Sequence, residues 1–179
     1  MIRGEKIILR AVEEEDLEDW QRWLSKPEIA RGLIMRYPVS RLAERQLIEQ
    51  SARPQPNDKI FAIDTLAGLY IGSCGLHRIS WEDRRATLGI FIGQRSQWGK
   101  GYGTDATRVL VRFGFDEMNL NRIDLHVFAD NERAIRCYET VGFVREGVLR
   151  QFHYLEGGTV DIVVMSVLRD EYVAQSTEG

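Results

Sequence analysis

The stretch "SQWGKGYGTDATRVLVRFGF", Ser96 to Phe115, places glycines at 99, 101 and 103 directly before an apolar helical stripe. Each glycine weakens a helix by roughly 1 kcal/mol relative to alanine. A chain that accepts this at a helix mouth needs its bare backbone there. Phosphate is the natural guest, because free N–H groups and the positive end of the helix dipole converge at that point. Glycine also lets a bulky anion approach the main chain unobstructed.

Several phosphate-binding patterns are possible. A Walker A loop requires Ser or Thr after its lysine, and here Gly101 follows Lys100. Gly101-x-Gly103-x-x-Ala106 matches the dinucleotide-binding pattern, and Asp124 stands at a suitable distance beyond it. That pattern, however, needs a strand running straight into its first glycine. Here "QRSQW" intervenes after Gly93, and only three strand-like segments follow.

Composition narrows the class. The chain has 179 residues, 44% hydrophobic and 28% charged, which suits one globular domain rather than disorder. A net charge of −3 gives no electrostatic case for duplex nucleic acid. The only apolar run near the N-terminus, Ile7–Leu9, is too short for a secretory signal. No stretch reaches the roughly 20 apolar residues of a membrane span. Two cysteines, Cys74 and Cys137, suggest neither a disulfide framework nor a metal site, so a reducing cytoplasm is expected.

Working outward from the glycines, "KIILRAV" reads as a strand. "EEEDLEDWQRWLS" reads as a helix carrying Leu17, Trp20 and Leu24 on one face, its acidic start favoured by the helix dipole. Pro27 and Pro38 bracket an irregular linker. "SRLAERQLIEQSA" is a second helix and "RPQPND" a loop. Strands follow at "KIFAID", "YIGSCGLHRISW" and "RATLGIFIG". The helix after the glycines buries Ala106, Val109, Leu110, Phe113 and Met118. "NRIDLHVF" alternates as a strand, and "NERAIRCYETVGF" is a helix ended by Gly142. Glu156-Gly157-Gly158 joins the last two strands as a hairpin. This succession gives a mixed sheet with helices on its faces, an α/β arrangement of α+β type.

Taken together, "QWGKGYGTDA" and "NERAIRCYETVGF" resemble the two signature segments of the GNAT N-acetyltransferase superfamily. The flanking "KIILRAVEEEDLEDW" and "GVLRQFHYLEGGTVDIVVMSVLRDEY" resemble its ribosomal-protein-alanine and -serine acetyltransferase branch. The resemblance implies one domain over 1–179 with its core at about 5–172, and a mostly antiparallel sheet of about seven strands splayed in the middle.

It also implies acetyl-CoA as co-substrate and no metal. The family's Arg/Gln-x-x-Gly-x-Gly loop falls on Trp98, Gly99, Lys100, Gly101, Tyr102 and Gly103, with Trp98 at the Arg/Gln position. The amides of this loop, with those of Thr104 and Asp105, are expected to hold the pyrophosphate. Ile90, Phe91 and Ile92 would offer main-chain groups to the pantetheine arm and the acetyl carbonyl. Asn131 would touch the arm, and Tyr138 would protonate the leaving thiolate. Bland readings stand beside these. Asn131 is a good helix N-cap, Tyr138 shares an apolar face with Ala134 and Val141, Cys137 is a small core residue, and His77, His126 and His153 are structural. Trp20, Trp23 and Trp81 pack or cover.

The general base departs from the family pattern. Many relatives carry Glu where this chain has Thr87, within Ala86-Thr87-Leu88-Gly89. Glu82, Asp83, His77 or His126 could replace it. An α-amine with a pKa of ~8 is roughly a tenth neutral at pH 7, whereas a lysine-like amine at ~10.4 is neutral only in a few parts per ten thousand. A weak base therefore suggests a protein or peptide N-terminus as acceptor. A small-molecule amine (polyamine or aminoglycoside-like) and a CoA-binding sensor without catalysis are the alternatives. No nucleic-acid or membrane partner is expected, and a monomer or homodimer is.

Overall fold

The strand that enters the glycine loop lies in the middle of an eight-stranded sheet, and the molecule is arranged around it. The computed structural model describes residues 1–33 and 56–177, with Ser40, Leu42, Ala43, Arg45, Gln46 and Glu49 between them. The helix and loop expected over 40–58 lie largely outside the described residues.

The strands are β1 (Ile2–Arg3), β2 (Ile7–Arg10), β3 (Lys59–Thr65), β4 (Tyr70–Ser80), β5 (Arg85–Ile92), β6 (Arg122–Phe128), β7 (Val144–Leu155) and β8 (Gly158–Leu168). They lie in the order β1-β2-β3-β4-β5-β6-β8-β7. Every neighbouring pair is antiparallel except β5 and β6. The expected mixed α/β sheet is present, and the short β1 brings the strands to eight rather than seven. Helices among the described residues include α1 (Leu17–Leu24), α2 (Pro27–Gly32), α3 (Tyr102–Arg112), α4 (Glu132–Val141) and α5 (Arg169–Thr177).

Period-2 alternation divides the sheet between two cores. Ile7, Leu9, Ile63, Ile71, Leu76, Ala86, Leu88, Ile123 and Leu125 pack under Ala106, Val109 and Leu110 of α3. On the other face Ala62 and Tyr70 pack with Trp20, Trp23 and Leu24 of α1 and Ile29 of α2, and Phe91 joins them. Trp20 and Trp23 are thus packing residues, as expected. The Trp20 indole N–H donates to the Tyr70 hydroxyl at 2.5 Å. Trp81, in contrast, is 46% exposed and donates its N–H to the Pro56 carbonyl.

Two local readings change. The linker expected from Pro27 begins as a helix, because Pro27 sits at the first helical turn, where a missing N–H costs nothing. The acidic start of α1 also does more than face the dipole. Asp16 is buried and takes the Arg10 guanidinium through both oxygens at 2.7 and 2.8 Å. At the far end of the chain, the Arg169 guanidinium caps the carbonyls of Phe115 and Leu120, closing the π turn Phe113–Glu117 that follows α3.

Candidate functional site

β5 and β6 run together for only three residues. Arg85, Ala86 and Thr87 pair with Arg122, Ile123 and Asp124, and the ladder then stops. Beyond it β5 continues to Ile92 and β6 to Phe128, each still held by its other neighbour. The sheet therefore opens as a V, with one wall of residues 88–92 and the other of residues 125–128. The expected splay is present.

The glycine loop lies at the open end of the β5 wall. Gly99 and Gly101 have φ of 76° and 84°, the left-handed region that favours glycine. Gly101 is the residue from which α3 starts. Among the described residues, no amide from Gly99 to Thr104 donates a hydrogen bond. Six successive N–H groups at a helix mouth, with the dipole behind them, form an anion cradle. Asp105 departs from expectation. Its amide donates to the Gly101 carbonyl at 3.0 Å, so the cradle ends one residue earlier. Its buried carboxylate instead accepts the N–H groups of Glu5, Lys6 and Ile7, pinning the N-terminal strands to α3. The Lys6 ammonium consequently reaches the loop and donates to the Lys100 carbonyl at 3.2 Å.

Trp98 uses its side chain within the protein. The indole N–H donates to the Ile92 carbonyl at 2.7 Å, and the Arg133 guanidinium lies over the ring at 4.1 Å. Of the three β5 residues expected to offer main-chain groups, Ile92 thus has its carbonyl engaged. Ile90 and Ile92 pack toward α3, and Phe91 packs toward Trp20 at a ring distance of 5.3 Å. Lys100 holds Gln97. Tyr102 packs partly against the core under α3.

Helix α4 lies against the same loop, because Arg133 meets Trp98 and the Cys137 thiol meets the Thr104 hydroxyl at 3.2 Å. The bland reading of Asn131 holds in part: its side-chain oxygen caps α4 by accepting from Ala134 N–H at 3.2 Å. Its side-chain nitrogen makes no bond among the described residues, while its backbone N–H donates to the Phe128 carbonyl at 2.9 Å. Cys137 is half-buried rather than core, and Cys74 is fully buried; both are free thiols pushed up by burial. Tyr138 is only 9% exposed and its ring meets Phe143, yet its hydroxyl has no hydrogen-bond partner among the described residues. Burial raises this phenol well above its ordinary range. The side-chain polar atoms that are fully buried without a partner among the described residues are instead Trp23 Nε1 and Asp64 Oδ1, so the Tyr138 hydroxyl is not sealed in the core.

The base candidates separate in space. Asp83 lies in the β4–β5 turn, where Ser80 and Arg85 hold it below the usual carboxylate range. His77 is bonded to Asp58 at 3.0 Å. His126 is not a satisfied structural histidine: it is exposed against the Phe152 ring. The carboxylate that meets Thr87 is Asp124, which accepts the threonine hydroxyl at 2.9 Å where the V begins. Sequence spacing could not assign it, since its distance from the glycines pointed to a dinucleotide pattern and nothing local tied it to Thr87.

Among the described residues no group of three His, Cys, Asp or Glu could hold a metal, and no helix is long and apolar enough to cross a membrane.

Comparison with known proteins agrees with this geometry. The chain is 30% identical over 172 residues to the uncharacterized N-acetyltransferase p20 of Bacillus licheniformis, covering 94% of this chain and 96% of that one. It is 27% identical over 179 residues to the spermidine N(1)-acetyltransferase of Escherichia coli K12, covering 98% and 92%. The crystal structure of the Vibrio cholerae spermidine N-acetyltransferase in complex with CoA and spermine superposes with a TM-score of 0.86. It is 26% identical and covers 93% of this chain and 98% of that one. The family described as "Acetyltransferase (GNAT) domain" matches residues 6–144. A splayed sheet with an amide cradle at its mouth is therefore this family's fold in this chain, which belongs to the GNAT N-acetyltransferases and is an acyltransferase.

Proposed function

We propose that this enzyme moves the acetyl group of acetyl-CoA directly to a primary amine of a small polycationic molecule of the polyamine class. The observation that carries the CoA half is the run of six unbonded amides from Gly99 to Thr104 at the α3 mouth. The likeness to a spermine-bound acetyltransferase over 93% of the chain supports the acceptor half. That likeness favours a small-molecule amine over a protein N-terminus. A missing base favoured the N-terminus, but in the fold a carboxylate lies against Thr87.

Acetyl-CoA supplies the thioester carbonyl. The cradle amides and the flanking Lys6 and Arg133 charges hold its pyrophosphate. The main-chain groups of Ile90 orient the arm along the open wall, those of Phe91 being turned instead toward Ser73 of β4, and the Asn131 side-chain amide donates to the arm. Tyr138 presents a phenol that burial keeps protonated, suited to return a proton to the leaving sulfur. No covalent enzyme intermediate is required, so neither cysteine has to react.

The test is thiol release from acetyl-CoA with spermidine, spermine, a kanamycin-type aminoglycoside and peptides with free N-termini, the products identified by mass spectrometry. Polyamines with the highest kcat/KM support the reading. Turnover on peptides alone returns the acceptor to a protein N-terminus. CoA binding with no turnover on any amine makes the chain a sensor.

A further inference from the structure

The base of the V holds a polar network that the acyl-transfer reading leaves unused. Thr87 and Asp124 are the last residues paired between β5 and β6. The Thr87 hydroxyl donates to Asp124 Oδ1 at 2.9 Å and accepts from the Arg78 guanidinium at 3.2 Å. Asp124 Oδ2 lies 3.7 Å from Arg122, beyond hydrogen-bond range. Arg122 is otherwise committed, with both terminal nitrogens on Glu146 at 2.7 and 2.5 Å, and Ser166 also donates to Glu146. One carboxylate oxygen of Asp124 therefore keeps open acceptor capacity. Thr87 lies on the same face of β5 as Phe91, the face that carries α1 and α2. Ala86 and Leu88 face the opposite way, under α3.

We infer that the Thr87–Asp124 pair is the proton acceptor of this enzyme, a carboxylate reached across the sheet that replaces a glutamate on β5. The inference rests on the amine-acetylation reading above. A polyamine nitrogen with a pKa near ~10.4 is almost wholly protonated at pH 7 and cannot attack until it loses a proton. That N–H bond breaks, and the proton passes to Asp124 directly or through the Thr87 hydroxyl and water. The freed nitrogen pair forms the C–N bond at the acetyl carbon and the C–S bond breaks. The nitrogen's second proton goes to the sulfur by way of Tyr138, and Asp124 later releases its proton to solvent. Nothing is oxidised or reduced. Thr87 alone could not do this, because a hydroxyl has no basicity near neutral pH.

Around the pair stand His77 and Arg78 of β4, the first paired and the second bonded with Thr87, Arg122 on the strand of Asp124, Ser166 of β8 opposite Asp124, and Glu146 of β7, which Ser166 and Arg122 bond. Arg78 donates its backbone N–H to Asp58 at 3.3 Å and its guanidinium to the Thr87 hydroxyl.

The test compares wild type, Asp124→Asn and the double variant Asp124→Asn with Thr87→Glu, using acetyl-CoA and spermidine. The readouts are kcat/KM from pH 5.5 to 9.5, CoA affinity by calorimetry, and melting temperature. Asparagine can still accept the Thr87 hydroxyl, so a purely structural role leaves rate and profile intact. We expect Asp124→Asn to lower kcat/KM at pH 7 by about 100-fold, the low end for general base catalysis. The loss should shrink as pH approaches the amine pKa, with CoA affinity unchanged. The added glutamate should recover at least about 10-fold of it. Equal kcat/KM at every pH in a folded Asp124→Asn protein overturns the inference. So does a pH-independent loss that the glutamate does not rescue. A wild-type enzyme that binds CoA but acetylates no amine overturns the acceptor reading instead, and this inference with it.

Discussion

The Trp98 indole N–H donates to the Ile92 carbonyl at 2.7 Å, so the residue that opens the glycine loop is bonded to the last residue of the strand lining the cleft. The cradle and the β5 wall are thereby held as one unit. Replacing Trp98 with Phe keeps a ring for Arg133 to lie on but removes the donor. The bond is worth about 1 kcal/mol, so CoA affinity should fall on the order of fivefold. Trp98→Ala, which also loses the ring, should cost more. Calorimetric titration of CoA into both variants checks the order.

Gly103 offers a clean test of the cradle. Unlike Gly99 and Gly101 it has no positive φ, and a Cβ there would meet nothing within 4 Å. Gly103→Val should fold as well as wild type while placing a branched side chain among the six free amides. We expect CoA affinity to drop by at least about 10-fold, since several charge-assisted bonds lose their approach. Unchanged affinity in the folded variant removes the cradle assignment. Gly101→Val is a poorer probe, because strain at φ 84° and contact with Lys6 would confuse the result.

Tyr138→Phe retains the packing against Phe143 and removes one hydroxyl that has no partner among the described residues. Turnover should fall roughly 100-fold, with CoA affinity and melting temperature little changed. Burial also raises this phenol well above its ordinary value. The acid form therefore persists through the alkaline assay range, and wild-type kcat should show no loss from Tyr138 titration below about pH 10. Wild-type turnover in Tyr138→Phe, with chemistry rate-limiting, makes Tyr138 a packing residue.

Glu146 sets an acid limit on stability. Its bonds to Arg122, followed by that from Ser166, hold it down to about 2 in the folded protein. Above the ordinary carboxylate pKa of about 4.3 both folded and unfolded chains are ionised there, and the pair contributes fully. As pH falls from there toward 2, the unfolded chain takes a proton that the folded one refuses, so stability drops. Glu146→Gln should be less stable at pH 7 and show a shallower loss of melting temperature between pH 4.5 and pH 2. Because Glu146 is 39% exposed, the effect is screened and should weaken in salt. Melting curves across pH at two salt concentrations check both points.

Much of this molecule is written locally. The three glycines, the alternation of Ile123, Leu125 and Val127, the helix stop at Gly142 (φ 103°) and the turn at Glu156-Gly157 each follow from backbone sterics or period, which neighbours along the chain suffice to specify. The loop and α4 were legible as a pair for the same reason, since each carries its chemistry within a dozen residues. What local sequence cannot express is which strand lies beside which. Thr87 and Asp124 are 37 residues apart, and only the parallel pairing of β5 with β6 brings hydroxyl to carboxylate. Read alone, Thr87 was a lost base and favoured an easily deprotonated acceptor; in the fold its hydroxyl is bonded to a carboxylate. The same holds for Asp105, whose position at a helix start suggested an amide donor. The tertiary fold gives its carboxylate three backbone N–H groups about 100 residues away, because a buried acid is tolerated only where such donors converge.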